Sequence, residues 1–89
     1  MRARKIDSVQ PEIVEALRKA GVMVWVIEEP CDLLTLCRGV WLPLEVKTPT
    51  SHKDKRQEAQ QQFLKDTGTP VVTSALQAIE TVISHSRRI

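Results

Sequence analysis

The sequence has few of the features that anchor proteins in membranes, direct secretion or build zinc centres. It has no apolar run of transmembrane length, and its N-terminal residues lack the apolar core of a signal peptide. The two cysteines, Cys31 and Cys37, and the two histidines, His52 and His85, do not have the spacing of a zinc site. The apolar neighbours of both cysteines indicate buried free thiols, typical of a reducing compartment. The sequence therefore predicts a cytoplasmic protein outside the membrane.

The chain of 89 residues suits one small domain, which we expect to span residues 1–89. It has no internal repeat or low-complexity tract. The formal charge is only +2, but the basic residues are concentrated in three places. The clusters are Arg2, Arg4 and Lys5; Lys53, Lys55 and Arg56; and Arg87 and Arg88. Such clusters fit a polyanionic partner, although solvated tails and a solvated helix start give the same pattern.

The first third of the chain predicts a helix followed by a buried strand. Asp7 or Ser8 can cap the helix, which continues to about Ala20 and ends at Gly21. Residues 22–27 are six consecutive apolar residues, most of them β-branched. A run of this kind predicts a strand that is covered on both faces.

The last third of the chain predicts a helix, a short strand and a final helix. The first of these helices starts near Asp54 and ends before Gly68, and residues 70–73 form the strand. Ser74 and Gln77 have the spacing of a capping box for the final helix. Its predicted apolar stripe is Leu76, Ile79, Val82 and Ile83. With two strands between the halves, the element order is α-β-β-β-α-β-α, which predicts an α/β fold.

Residues 31–47 predict a β-hairpin, because Arg38-Gly39 separates two apolar runs and reads as a tight turn. Counting outward from that turn places Asp32 opposite Glu45. Two carboxylates that face each other across a ladder repel, whereas a cation between them reverses the sign of the interaction. Pro43 lies in the second strand and cannot donate to a ladder, so the sequence predicts an edge position or a bulge there. A bulge would shift the register.

A divalent-metal site follows from the hairpin. Asp32 and Glu45 supply carboxylates and the Val46 carbonyl supplies a third oxygen, which suits Mg²⁺ or Mn²⁺. Lys47 shares the face of Glu45, because strand side chains alternate with period two. A bound metal lowers the pKa of water and stabilises charge on a phosphate, and Lys47 can assist either step. This chemistry suits phosphodiester hydrolysis, with the basic clusters holding the polyanion.

Two helical residues can be directed toward this site. Glu12 lies at the edge of the apolar face of the first helix, where it either joins the site or covers the border of the core. Gln60 falls within the inward face of the second helix, where its amide is satisfied by backbone or directed at the site. The other members of that face are Ala59, Phe63, Leu64 and Thr67.

Together these residues resemble the VRR-NUC family of the PD-(D/E)xK nuclease superfamily, in its stand-alone phage form. The resemblance rests on Glu12 in EIVEALRKAG, on Asp32, on Glu45-Val46-Lys47 and on Gln60-Gln61-Gln62-Phe63. It implies a restriction-endonuclease-like mixed sheet flanked by helices, as in archaeal Holliday-junction resolvases. It also implies that Asp32, Glu45, Lys47 and Gln60 are catalytic, with Glu12 joining the metal ligands.

We therefore expect a Mg²⁺- or Mn²⁺-dependent deoxyribonuclease acting on branched or nicked DNA in the host cytoplasm. Its expected DNA-binding residues are Arg4, Lys5, Lys53, Lys55 and Arg56. A homodimer is expected, because one small unit covers little of a duplex and a two-strand cut needs two sites. The family has Gly-x-Pro-Asp where this chain has Glu29-Pro30-Cys31-Asp32, so a non-catalytic nucleic-acid-binding module is the alternative. A small assembly protein is a third possibility.

Overall fold

The computed structural model describes residues 9–47 and 57–87, which contain three helices and four strands. In chain order these are α1 (Gln10–Lys19), β1 (Met23–Val26), β2 (Leu33–Cys37), β3 (Val40–Val46), α2 (Gln57–Thr67), β4 (Val71–Val72) and α3 (Ala75–Ser86). The predicted order α-β-β-β-α-β-α is confirmed. The proposed caps Asp7 and Ser8 and the proposed helix start at Asp54 lie outside the described residues.

The strands form one mixed sheet in the order β1-β2-β3-β4. The first three strands are antiparallel, whereas β4 is parallel to β3 and pairs Val71 with Glu45 and Val72 with Val46. A parallel neighbour requires a long crossover, which here contains α2. The α/β fold predicted from the sequence is confirmed as a mixed sheet combined with helices.

The core lies on one face of the sheet, where α1 and α3 pack against each other and against the strands. Alternation along the strands directs Leu33, Leu42 and Leu44 toward these helices, and all three are buried. The residues that meet them from the helices are Ile13, Leu17, Ala78 and Val82. None of the helices in residues 9–47 and 57–87 is both long and apolar enough to cross a membrane.

The capping box of α3 is present. Ser74 Oγ accepts a hydrogen bond of 3.1 Å from the Gln77 backbone N–H, and the Gln77 side chain accepts one of 2.7 Å from the Thr73 N–H. The predicted stripe is wrong at Leu76, which is 65% exposed, and Ala78 is buried instead. The buried face of α3 consists of Ala78, Val82 and Ser86, and at about 100° per residue Leu76 lies about 120° from the middle of that face.

The prediction of a strand covered on both faces is wrong for β1. This strand is at an edge of the sheet, and only Val24 of its residues is buried. Met23 and Trp25 point away from the helices and are 54% and 41% exposed. The helices α1 and α3 cover one face only, which a continuous apolar run cannot reveal.

Pro43 is accommodated within β3 without a bulge. The register runs without interruption from Cys37 opposite Val40 to Leu33 opposite Leu44, and it pairs Leu34 with Pro43. In a hairpin with a two-residue turn the pair beside the turn is hydrogen-bonded, and bonded pairs then alternate with non-bonded ones. The nitrogen of Pro43 therefore faces the β4 side, where pairing begins only at Glu45. The missing N–H costs no ladder bond.

Candidate functional site

The turn and register of the hairpin agree with the prediction from the sequence. Arg38 and Gly39 both have positive φ, 53° and 78°, as a type I′ turn requires. The paired residues end at Leu33 opposite Leu44, and Asp32 is the residue immediately before β2. The side chain of Asp32 thus lies at the end of the ladder, next to the end of β3.

Asp32 is fixed by its backbone and by its carboxylate. Its carbonyl accepts hydrogen bonds from the backbone N–H groups of Ile27 at 3.0 Å and Glu28 at 3.3 Å. Its carboxylate accepts a hydrogen bond of 2.8 Å from the backbone N–H of Val46. The carboxylate therefore replaces the carbonyl that a longer β2 would offer to β3. The hydrogen bond from Val46 to Asp32 was not predicted from the sequence.

Asp32 and Glu45 form an interacting carboxyl pair. Burial raises the pKa of Glu45, the charge of Asp32 raises it further, and a hydrogen bond between the two side chains adds to the shift. The Asp32 backbone N–H and the Lys47 ammonium act in the opposite direction, and the resulting pKa of Glu45 is about 7. Glu45 Oε1 is buried and has no hydrogen-bond partner among the residues that the structure describes. This oxygen therefore keeps an unused acceptor position within that part of the chain.

Lys47 lies two residues beyond Glu45 on the same side of the strand, and its side chain is exposed. The ends of β3 and β4 hold this segment in place. The backbone N–H of Glu45 donates to the Pro70 carbonyl and that of Lys47 donates to the Val72 carbonyl, each at 3.0 Å. The positive charge of Lys47 lowers the pKa of Glu45, so the ammonium group lies near the Glu45 carboxyl group.

Cys31 is a third ionisable group beside the pair. The predicted state of both cysteines, buried and free, is confirmed. The Cys31 thiol donates a hydrogen bond of 3.5 Å to the Leu33 carbonyl. Burial raises the pKa of this thiol, and the carboxylates of Glu45 and Asp32 raise it further. A neutral thiol next to the carboxyl pair was not predicted. The sequence did indicate its proximity, because Cys31 directly precedes Asp32.

The donor set of the pair fits a hard divalent cation better than a soft one. It offers carboxylate oxygens, one of them buried without a partner, and the neutral thiol of Cys31 is not in the form that binds zinc. The N–H of Val46 faces Asp32, and the N–H and C=O of a strand residue point to the same side. The Val46 carbonyl can therefore add a third oxygen.

The structure does not bring every predicted site residue to this place. Glu12 is exposed on α1, and within residues 9–47 and 57–87 no group of three or more His, Cys, Asp or Glu side chains could hold a metal ion. Gln60 is buried, as its position on the inward face of α2 predicted. Phe63 and Leu64 beside it are half-buried, but Ala59 and Thr67 are exposed, contrary to prediction. The proposed DNA-binding residues Arg4, Lys5, Lys53, Lys55 and Arg56 lie outside the described residues.

Comparison with known proteins adds no relative. No protein-family model matches the chain, and neither a curated protein nor a solved structure matches it. The carboxyl pair and the residues around it are therefore the features that bear on function.

Proposed function

We propose that this protein is a metal-dependent nuclease that hydrolyses DNA phosphodiester bonds, in the manner of the VRR-NUC family. The observation that carries the proposal is the Asp32–Glu45 pair, in which a buried Glu45 oxygen lacks a partner beside the lysine of Glu-x-Lys. Two carboxylates in contact are unfavourable alone, and a divalent cation compensates their repulsion. Burial raises the pKa of Glu45 most, and the repulsion from Asp32 raises it further.

The residues of the hairpin have separate roles in this proposal. Asp32, Glu45 and the Val46 carbonyl would hold Mg²⁺ or Mn²⁺, which would supply an acidified water and charge stabilisation for the phosphate. Asp32 keeps its orientation because the Val46 N–H binds it at 2.8 Å. Lys47 directs its ammonium group toward the charge that develops on the phosphate. Glu45 loses its proton when it becomes a ligand.

The remaining proposed contributions follow from the resemblance. Gln60 supplements the site from α2 and the basic clusters bind the DNA backbone, whereas Glu12 of α1 does not complete a metal-ligand group with Asp32 and Glu45 among the described residues. A homodimer supplies the second site for a two-strand cut of branched or nicked DNA. The cytoplasm, whose reducing conditions keep both cysteines free, is the proposed location.

The test is cleavage by the purified full chain with Mg²⁺ or Mn²⁺. Linear duplex, single-stranded, nicked and branched DNA should be offered, and at least one form should be cut. Lys47→Ala should reduce cleavage by about 100-fold or more, as expected for the loss of a charge-stabilising group. Lys65→Ala, which removes an exposed lysine of α2, is the matched control and should cut normally. Equal cleavage by Lys47→Ala and wild type would contradict the mechanism.

Metal binding can be tested separately from cleavage. Calorimetry with Mn²⁺ should show binding by the wild type and strong weakening in Glu45→Gln, which keeps the size of the side chain but removes its charge. A protein that serves only in assembly gives no reason for such carboxylate-dependent binding. Wild-type and Glu45→Gln proteins that bind Mn²⁺ equally would remove the pair from the site.

The second candidate function is a non-catalytic nucleic-acid-binding module with the same fold. The observation that favours it is the segment Glu29-Pro30-Cys31-Asp32, which departs from the family pattern and places a buried neutral thiol beside the carboxyl pair. Salt-dependent DNA binding without cleavage under any divalent metal would support this candidate. Failure to bind any nucleic acid would exclude it.

A further inference from the structure

The face of the sheet opposite the core carries two exposed tryptophans. Trp25 of β1 is 41% exposed and Trp41 of β3 is 53% exposed. Their ring centroids are 5.6 Å apart and the rings are tilted by 30°, so the indoles meet across β2. We call Trp25 and Trp41 the tryptophan platform. The metal site proposed above does not involve either tryptophan.

The platform shares its face with the carboxyl pair. Along β3, Leu42 and Leu44 point into the core, so Trp41, Pro43 and Glu45 point to the other side. Trp41 precedes Glu45 by four residues, which corresponds to about 13 Å along a strand. A single extended ligand can therefore contact both places.

The charges along this face suit an anionic ligand. Glu45 is the only charged residue within the described strands β1, β2 and β3, so no other strand carboxylate would repel a phosphate. Arg38 is exposed at the turn beyond Trp41, and Lys47 is exposed beyond Glu45. The tryptophan platform thus lies between two exposed cations, Arg38 at the turn of the hairpin and Lys47 at its open end.

The size of the platform argues against a protein partner. The exposed parts of the two indoles together amount to about one tryptophan, and the exposed parts of Met23 and Val71 on the same face bring the apolar area to roughly 300–500 Å². A stable protein interface buries about 800 Å² on each partner. Stacking of a nucleobase needs only one ring face, and each stacked base strengthens binding by about 5- to 150-fold.

We propose that the tryptophan platform stacks unpaired bases of the nucleic acid whose backbone reaches the Asp32–Glu45 site. The proposal rests on the proposed nuclease function and names its substrate class, DNA with a single-stranded segment next to the cleaved phosphate. Bases inside a duplex have both faces covered by their neighbours, so an exposed indole stacks only on unpaired or terminal bases. A flap, an overhang or an opened junction provides them.

Intrinsic fluorescence tests the proposal directly, because Trp25 and Trp41 are the only tryptophans of the chain. The Glu45→Gln variant, which is not expected to cut, should be titrated with a single-stranded oligonucleotide and with a blunt duplex of equal length. Single-stranded DNA should quench the emission, and the duplex should quench it much less. Trp41→Ala in the same background should bind single strands about 5- to 150-fold more weakly. Its binding can be measured by the quenching of Trp25 and by the anisotropy of labelled DNA.

Two controls separate stacking from a loss of fold. Trp41→Phe keeps an aromatic face and should retain most of the affinity, whereas Leu76→Ala removes an exposed apolar side chain elsewhere and should change nothing. Equal binding of single strands by Trp41→Ala and its parent, or no quenching by single strands, overturns the proposal. A dimer that becomes a monomer in Trp41→Ala, with unchanged affinity for single strands, would identify the face as an interface between copies.

Failure of this inference is distinguishable from failure of the proposed function. Cleavage by the wild type without quenching in Glu45→Gln would retain the nuclease and remove the platform. Quenching without cleavage under any divalent metal would retain single-strand binding by the platform and remove the nuclease.

Discussion

The Val46 backbone N–H donates a hydrogen bond of 2.8 Å to the Asp32 carboxylate, joining residues that lie fourteen positions apart. This bond places the carboxylate at the end of the β2–β3 ladder rather than in solvent. Asp32 therefore reaches Glu45 with its orientation already set, and its charge helps to raise the pKa of Glu45. Asp32 and Glu45 lie close together because of the hairpin register.

Asp32→Asn should lower the pKa of Glu45 from about 7 toward its ordinary value of 4.5. The substitution removes the negative charge that opposes ionisation and keeps an oxygen that can accept the Val46 N–H. The pKa should remain above 4.5, because burial is the largest cause of the shift. Carbon-13 NMR titration of the Glu45 carboxyl measures the change. Glu15→Gln, on the exposed side of α1, is the control and should leave the pKa of Glu45 unchanged. An unchanged Glu45 pKa in Asp32→Asn would mean that the two acids do not interact.

The stability of the metal-free protein should fall as the pH rises from about 4.5 to about 7. The folded state keeps the Glu45 proton up to the higher pKa, whereas the unfolded state loses it at the lower one. The folded state thus binds more protons in this window, and the free energy of unfolding decreases with pH. Urea denaturation at several pH values measures the slope. Glu45→Gln should flatten it, and an identical slope in that variant would assign the effect to another group.

Much of the site could be predicted from the sequence because it lies in a hairpin. The two-residue turn at Arg38-Gly39 fixes the register, so the neighbourhood of Asp32 and Glu45 follows by counting. The effect of Pro43 could not be obtained in this way. Whether its missing N–H matters depends on where β4 begins to pair, and β4 comes from a distant part of the chain.

Tertiary packing decided the features that were predicted incorrectly. The apolar run around β1 is compatible with a strand in the middle of a sheet, but β1 is at the edge and Trp25 is exposed. Leu76 has the spacing of a core residue, yet the buried face of α3 is centred on Val82 and leaves Leu76 to one side. The spacing of apolar residues predicts which side chains share a face of a helix or strand. Which of these side chains are buried depends on how much of that face a neighbouring element covers.

Arg18→Ala should increase self-association and lower stability by about 1 kcal/mol. Arg18 Nη2 donates a hydrogen bond of 2.7 Å to the Val24 carbonyl, which faces the free edge of β1. Removing the guanidinium uncovers an edge that can pair with another strand. Sedimentation velocity and chemical denaturation measure the two effects. Lys19→Ala, which removes the neighbouring exposed cation, should show neither; a monomeric Arg18→Ala protein of wild-type stability would show that the contact does not protect the edge.

Leu17→Ala should lower the free energy of unfolding by about 2–5 kcal/mol, whereas Leu76→Ala should change it by less than about 0.5 kcal/mol. The two substitutions remove the same atoms from a helix, but Leu17 is fully buried and Leu76 is 65% exposed. Urea denaturation at one pH provides the comparison. A similar cost at both positions would mean that the first turn of α3 is buried in solution.

The parallel pairing of β3 with β4 has a consequence for the order in which the region around the carboxyl pair is fixed during synthesis. The hairpin can close soon after its residues leave the ribosome, since its contacts are local. The N–H groups of Glu45 and Lys47 obtain their carbonyl partners only from Pro70 and Val72. A nascent chain therefore carries the acids and the lysine long before it holds them in position. The growing polypeptide cannot fix the backbone at Glu45 and Lys47 until residues 70–72 have been added.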